Sequence, residues 1–254
     1  EPLMSGQKYR ATESMVISNG KLSITVMGEQ MRGTMESTRE KITEYELVSA
    51  TERNVVITND TEENTRVVMG QPQKESETNV LEGKPLNGKL EDGKWTFALV
   101  DGEPTDEESV ELEEMSNPDD NALYPRKPVK IGDTFKISSK QMKTFLADAI
   151  TRDPSGSGEG KVEEIVEHVG QQCARISMKL DARGIIEEDG QEMQITIKVE
   201  GEVLRSLEIF EDLMVDLTGT ISFGGELETL GQPMSMSVVA DLHFGIDSEV
   251  LDNN

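Results

Sequence analysis

Three stretches of strict two-residue alternation leave the chain little choice of fold. Over residues 193–200, Met193, Ile195, Ile197 and Val199 fall on one face, while Gln194, Thr196, Lys198 and Glu200 fall on the other. Val215, Leu217, Ile221 and Phe223 form a second apolar row, interrupted by Gly219, against Asp216, Thr218, Thr220 and Ser222. Met234, Met236, Val238, Ala240, Leu242 and Phe244 form a third. Successive side chains of a strand point to opposite faces, so each row predicts a long strand with one dry face and one wet face, as in an antiparallel sheet. Residues 174–180 add a fourth such segment.

The first half repeats the theme less regularly. Leu22, Ile24 and Val26 alternate after Ser18-Asn19-Gly20-Lys21, where Asn-Gly predicts a hairpin turn. Val55 with Ile57, Val67 with Met69, and Trp95 with Phe97 and Leu99 mark further strands, with turns expected at 58–64 and 91–94. The fold class implied is mainly β: long, meandering antiparallel strands in curved sheets or half-barrels, with one or two short helices.

Two segments have a helical period instead. Met142, Phe145, Leu146, Ala149 and Ile150 share one stripe of a helix expected over 138–151, started by serine and stopped by Asp153-Pro154. Thr105 and Glu108 have capping-box spacing at the head of an acidic surface helix. Residues 154–160, rich in Gly and Ser, read as a flexible loop.

Between the helices, Tyr124-Pro and Lys127-Pro hold an extended, basic connector over 121–131. It divides the chain into an N-terminal β half, 1–120, and a C-terminal β half, 132–254. Gly132-Asp-Thr-Phe-Lys-Ile echoes Gly6-Gln-Lys-Tyr-Arg-Ala, the best internal repeat in the chain.

Composition narrows the function. A net charge of -25 repels polyanions, which argues against nucleic acid as a partner. No apolar run approaches the ~20 residues of a membrane helix. With aromatics at 4%, the interfacial girdles of an outer-membrane barrel are not provided for. Cys173 is the single cysteine, so neither a disulfide framework nor a cysteine-rich metal site is expected. The start at Glu1 rather than Met suggests a removed upstream segment, hence export to the periplasm or envelope, with a lipid anchor as one form of attachment.

Catalytic patterns are scarce, and no catalytic, cofactor-binding or metal-binding residues are assigned. His168 and His243 lack ligand spacing; Ser5-x-x-Lys8 stands alone without companion motifs. With 50 acidic residues, carboxylate pairs occur at every spacing and single out no site. Thirteen methionines are the unusual resource, and a flexible thioether can line an adaptable apolar cavity as well as fill a core. The candidate lining of such a cavity is Met193, Ile195, Val215, Leu217, Met234 and Met236.

The segment Tyr124-Pro-Arg-Lys-Pro-Val-Lys-Ile-Gly-Asp-Thr-Phe, preceded by residues 85–97 and Asp101-Gly-Glu-Pro, resembles a group of uncharacterised bacterial envelope proteins. The long-stranded layout is similar to lipoprotein carriers of the LolA/LolB type, which hold acyl chains on the concave face of a half-barrel. The resemblances imply a fold and a compartment, and no functional residue transfers. The expected function is therefore a non-catalytic binding or structural module of the cell envelope, holding a lipid or other apolar ligand on a concave sheet or meeting an envelope protein. A hydrolase using two carboxylates predicts facing acids in a polar cleft. A protein-interaction scaffold predicts an exposed apolar patch or a free strand edge.

Overall fold

A computed structural model describes residues 6–49, 51–91, 94–115, 122–146, 150, 152–188, 191–229 and 232–251. The N-terminal half supplies strands β1 (Lys8–Val26), β2 (Glu29–Ser49), β3 (Glu52–Val68), β4 (Gln71–Thr78), β5 (Pro85–Glu91) and β6 (Lys94–Leu99), then helix α1 (Asp106–Glu114). The C-terminal half supplies β7 (Thr134–Ile137), α2 (Ser139–Phe145), β8 (Arg152–His168), β9 (Gln171–Glu188), β10 (Gln191–Ser206), β11 (Asp212–Thr229) and β12 (Gln232–Leu251). All the strands belong to one antiparallel sheet in the order β6-β5-β3-β2-β1-β12-β11-β10-β9-β8-β7, with β4 also on β3. The mainly β, long-stranded architecture expected from alternation is what forms. The halves meet at its middle, where β1 and β12 pair from Lys8↔Leu251 to Val26↔Met234.

The sheet is not closed, since β6 and β7 end it on opposite sides, but it curls. Adjacent strands lie about 4.8 Å apart, so β3 and β11, four steps removed, would be some 19 Å apart on a flat sheet. Yet Arg53 on β3 donates to Glu211, just before β11, at 3.1 Å. Only strong curvature toward the apolar face brings them together.

That inward face carries the cores. Leu123, Met142, Leu146 and Ile150 cover Val162, Ile176, Met178, Leu180 and Val203 in the largest. Val55, Ile57, Leu81 and Leu86 pack with Leu112 of α1 in another. Complete burial of each such aliphatic side chain contributes roughly 1.5–3 kcal/mol. On the opposite face, Cys173, Leu204 and Leu213 form a small satellite core.

Several expected turns are corrected. Asn19-Gly20 is not a hairpin tip: it sits inside β1 as a bulge, where the register against β12 slips between Ser18 and Lys21. Asn19 takes φ 54°, the left-handed region that short polar side chains tolerate. The hairpin comes instead at Met27-Gly28, where Val26 pairs with Glu29. Residues 58–64 likewise continue β3, with a slip opposite Ile42 and Thr43 rather than a turn. Met69 ends no strand; it lies in the next turn. At 91–94, Glu91 does pair with Lys94 across a turn, whose residues 92 and 93 lie outside the described residues.

The Gly-rich stretch 154–160 is strand, and so are Asp153 and Pro154, all within β8. Its glycines are inward-facing and make room: a Cβ on Gly160 would stand 2.3 Å from the Phe135 ring, and one on Gly158 would stand 2.7 Å from the Leu180 side chain. Composition of this kind resembles a linker, but the missing side chains are replaced by those of β7 and β9. Helix α2 is shorter than the expected 138–151. Ser138 caps it in a capping box with Gln141, and it ends at Phe145; residues 147–149 lie outside the described residues. Thr105 and Glu108 form the expected capping box of α1.

Candidate apolar-ligand site

Following the inward positions across the strands gives continuous rows. Ile24 pairs with Met236, Met236 with Gly225, and Met193 of β10 lies beyond Gly225, since Gln194 pairs with Gly224. One row lower, Leu22 pairs with Val238, Val238 with Phe223, and Phe223 with Ile195. The next is Ala240, Ile221 and Ile197. These side chains form a core with Ile17, Met35 and Leu242, to which Val68 of β3 adds a contact over Gly33, the residue that pairs with both Val68 and Leu22. Every member comes from a strand, and among the described residues no helix or loop belongs to this core. Met15, Ile24, Ile195, Ile197, Phe223 and Met236 are consequently only half-buried. The result is a curved apolar trough between β3 and β10, walled by backbone-paired strands.

The six residues singled out from alternation are distributed unevenly along it. Ile195 packs against both large cores, and Met236 lines the trough. Met193 is buried at 5% exposure, and Met234 is half-buried opposite Val26 at the trough's far end. Val215 and Leu217 sit in the core that also contains Leu123, Phe135, Met142 and Leu146, away from the open part.

The other end is closed by a polar and aromatic lock that alternation alone did not reveal. The Arg53 guanidinium lies 3.9 Å from the Trp95 ring centroid and 5.0 Å from that of Tyr45. Gly88 permits this, since a Cβ there would meet Phe97 at 2.7 Å and Arg53 at 3.2 Å. Tyr45 stacks on Tyr9 at 4.8 Å, whose hydroxyl donates to Glu211 Oε2 at 3.2 Å. Burial, with the Glu211 charge adding to it, pushes the Tyr9 phenol well above its ordinary range, and burial raises that of Tyr45 as well. Beside this group, Arg205 donates to Asp212 at 2.7 Å and lies 3.9 Å from the Tyr124 ring centroid. The Tyr124 hydroxyl donates to the same carboxylate at 2.7 Å. Burial raises the Asp212 carboxyl despite the opposing pull of Arg205. Glu211 and Asp212 are thus each matched by an arginine, as the buried Asp60 is by Arg39 at 3.0 Å. The clue available in the sequence was parity: Arg53 falls on the row of Val55 and Ile57, and Arg205 on that of Val203.

The outward face is different in kind. An open depression of about 630 Å³ crosses β8 to β11 there. Its lining pairs Lys179 with Glu200 at 2.7 Å and Lys198 with Asp181 at 3.6 Å. Exposed pairs of this type contribute little and satisfy one another. His243 sits nearby against Asp216 at 3.0 Å, exposed. Among the described residues no group of three His, Cys, Asp or Glu side chains could hold a metal ion, and no helix is long and apolar enough to cross a membrane.

No protein-family profile and no curated protein matches the chain. Among solved structures, the chain is similar over 99% of its length to one of lipid–protein interactions in lipovitellin, at 8% identity and a TM-score of 0.44. It spans only 26% of that chain. The outer membrane protein OprG from Pseudomonas aeruginosa is matched over 97% of this chain and 96% of its own, at 8% identity and a TM-score of 0.21.

Proposed function

We propose that this protein is a non-catalytic binding module of the bacterial cell envelope that holds a lipid-like, apolar ligand in the trough on its curled sheet. The observation that carries this is the half-exposure of Ile24, Ile195, Phe223 and Met236 on a face that no other described element covers. Large aliphatic and aromatic side chains left half wet in a concave surface gain free energy from any apolar chain laid along them, at about 25 cal/mol per Å² removed from water. Met236 and its neighbours on flexible thioether stems suit chains of varied shape. The envelope location rests on the resemblance of the connector segment around Tyr124 to Phe135.

The outward face supports a water-soluble carrier rather than a lipid-embedded barrel. Arg10 pairs there with Glu44 at 2.7 Å and with Glu249 at 2.9 Å, whereas strands facing lipid present apolar side chains outward. A two-carboxylate hydrolase finds no free inward pair at Glu211 and Asp212, since arginine holds both.

Native mass spectrometry tests the proposal. After incubation with phospholipids or fatty acids, one acyl-chain adduct per protein is expected, and Met236→Asp should weaken it by roughly tenfold or more, because a buried carboxylate would replace an apolar contact. A clean unliganded mass with every lipid class would leave an interaction scaffold as the better account.

A further inference from the structure

Three hairpin tips break the rules of their own turn type; at Val169-Gly170, between β8 and β9, the apolar residue packs on the satellite core, but at the other two it does not. Met27 (φ 52°) and Gly28 (φ 85°) join β1 to β2, and Met69 (φ 53°) and Gly70 (φ 78°) join β3 to β4. Both are two-residue connections with both residues at positive φ, the geometry of a type I′ turn. The first position of such a turn favours Asn, Asp or Gly, because a larger side chain is strained in the left-handed region. Methionine occupies it twice, and its side chain gains nothing from packing in return: Met27 is 76% exposed and Met69 77%. Folding alone does not account for the choice. An apolar side chain held in strain at the outermost point of a hairpin is well placed to enter an apolar medium.

The tips also stand in a meaningful place. β1 runs toward the Met27 tip and β3 toward the Met69 tip, so both project from the same end of the sheet. Their hairpins are two strand spacings apart, about 10 Å. Gly33 pairs with Val68, which sets the Met69 tip about four residues, or roughly 13 Å, behind the other. A flat surface meeting the strands obliquely, as the tilted strands of a curled sheet present themselves, touches both. Val26 pairs with Met234 and Ile24 with Met236, so the Met27 tip rises directly beyond the open end of the trough, opposite the arginine lock.

We infer that the Met27 and Met69 tips are prongs that dock this end of the sheet on an uncharged lipid surface, bringing the mouth of the trough to the bilayer. The surface is specified by charge. With a net charge of -25 the protein is repelled by anionic headgroups, while two exposed methionines gain from insertion among zwitterionic ones. The inference rests on the trough as a lipid site only for the loading step after docking; the prongs themselves stand on geometry and exposure.

The test is flotation of the full chain with phosphatidylcholine vesicles, using the double variant Met27→Asn, Met69→Asn. Asparagine suits the left-handed position, so the variant should fold at least as well, with its thermal midpoint raised by roughly 2–4 °C. Its binding to the vesicles should fall by roughly tenfold or more. Wild type should float with phosphatidylcholine vesicles, and less when phosphatidylglycerol is added at low salt. Either a double variant that floats like wild type or a wild type that remains unbound overturns the inference. Lipid supplied in detergent micelles and read by native mass spectrometry separates the two ideas. Equal loading of both proteins leaves the trough intact and assigns the flotation loss to the tips; no loading of either, with flotation preserved in wild type, removes the trough and keeps the prongs.

Discussion

At the scale of single residues, Arg53 carries the closed end of the trough. Its side chain is only 10% exposed and faces Glu211 at 29%, with Trp95, Tyr45 and Phe97 around it. Arg53→Met removes the cation from the aromatic faces and leaves Glu211 with only the Tyr9 hydroxyl and no opposite charge, for an expected loss of about 2–3 kcal/mol in urea unfolding. Arg53→Lys should recover less than half of it, since a compact ammonium neither stacks flat nor forks. Trp95, the single tryptophan, lies against the guanidinium and reports the change by fluorescence. A second residue-scale expectation concerns Glu108, whose carboxyl is pushed down to about 2 by its bond to Lys84, helped by the Thr105 backbone N–H at 2.6 Å. A depressed carboxyl stabilises the fold above its unfolded value, near 4.5, and loses that contribution as pH falls toward 2. The stability gap between wild type and Glu108→Gln should therefore be constant above about pH 5 and close between about 4.5 and 2. A gap unchanged at pH 2 would mean that the pairing contributes nothing. The inward parity of Arg53 and Arg205 was readable in the sequence, and Asp212 is simply the cross-strand neighbour of Arg205, but Glu211 lies far from Arg53 along the chain and only curvature brings it there.

Among the elements, β8 shows why local composition and final structure diverge. Pro154, Gly156, Gly158 and Gly160 spell a linker by every local rule, and alternation was invisible because glycine marks the inward positions. The strand exists because β9 pairs with it from Ser155↔Arg183 to His168↔Gln171 and because the Phe135 ring fills the space over Gly160. Gly160→Ala should lose about 1–3 kcal/mol through overpacking against that ring. In a Phe135→Leu background the same substitution should cost much less, a coupling that a double-mutant cycle measures directly. Full additivity would mean that ring and glycine do not meet. Elements with a self-contained pattern were legible by contrast: β10, β11 and β12 from their rows, the start of α1 from its capping-box spacing and that of α2 from its serines. Asn19-Gly20 misled for the opposite reason. Its local preference for positive φ was satisfied, but by a bulge within a strand paired on both sides. Of the trough, Ile195, Met234 and Met236 were legible as one face, whereas which part of that face is covered depends on where α2 and Leu123 settle.

For the whole molecule, the decisive feature is the seam between β1 and β12. The connector over 121–131 suggested two halves, and the strand order keeps their strands on opposite sides of the sheet. Gly6 and Gln7 exchange bonds with Leu47, and Gly132 and Asp133 exchange the same two with Val162, so the Gly-led segments that echo one another in sequence open their strands alike. Yet the trough core takes Ile17, Leu22 and Met35 from the first half and Ile221, Val238 and Leu242 from the second. Neither half retains that core alone, and each would expose a long unpaired edge at the seam. Thermal unfolding should accordingly be one transition, with calorimetric and van't Hoff enthalpies in agreement. Two separable transitions would mean that the halves are independent domains. The same experiment, run against salt, reads the charge. A chain at -25 repels itself most when compact, and raising the ionic strength from about 0.01 to 0.15 M shortens the screening length from about 30 to 8 Å. The single midpoint should rise with sodium chloride across this range and then level off, because the close pairs that remain, such as Lys179 with Glu200 at 2.7 Å, are shorter than any screening length reached. A midpoint that fell with salt would show instead that paired ions hold the sheet together more than its apolar face does.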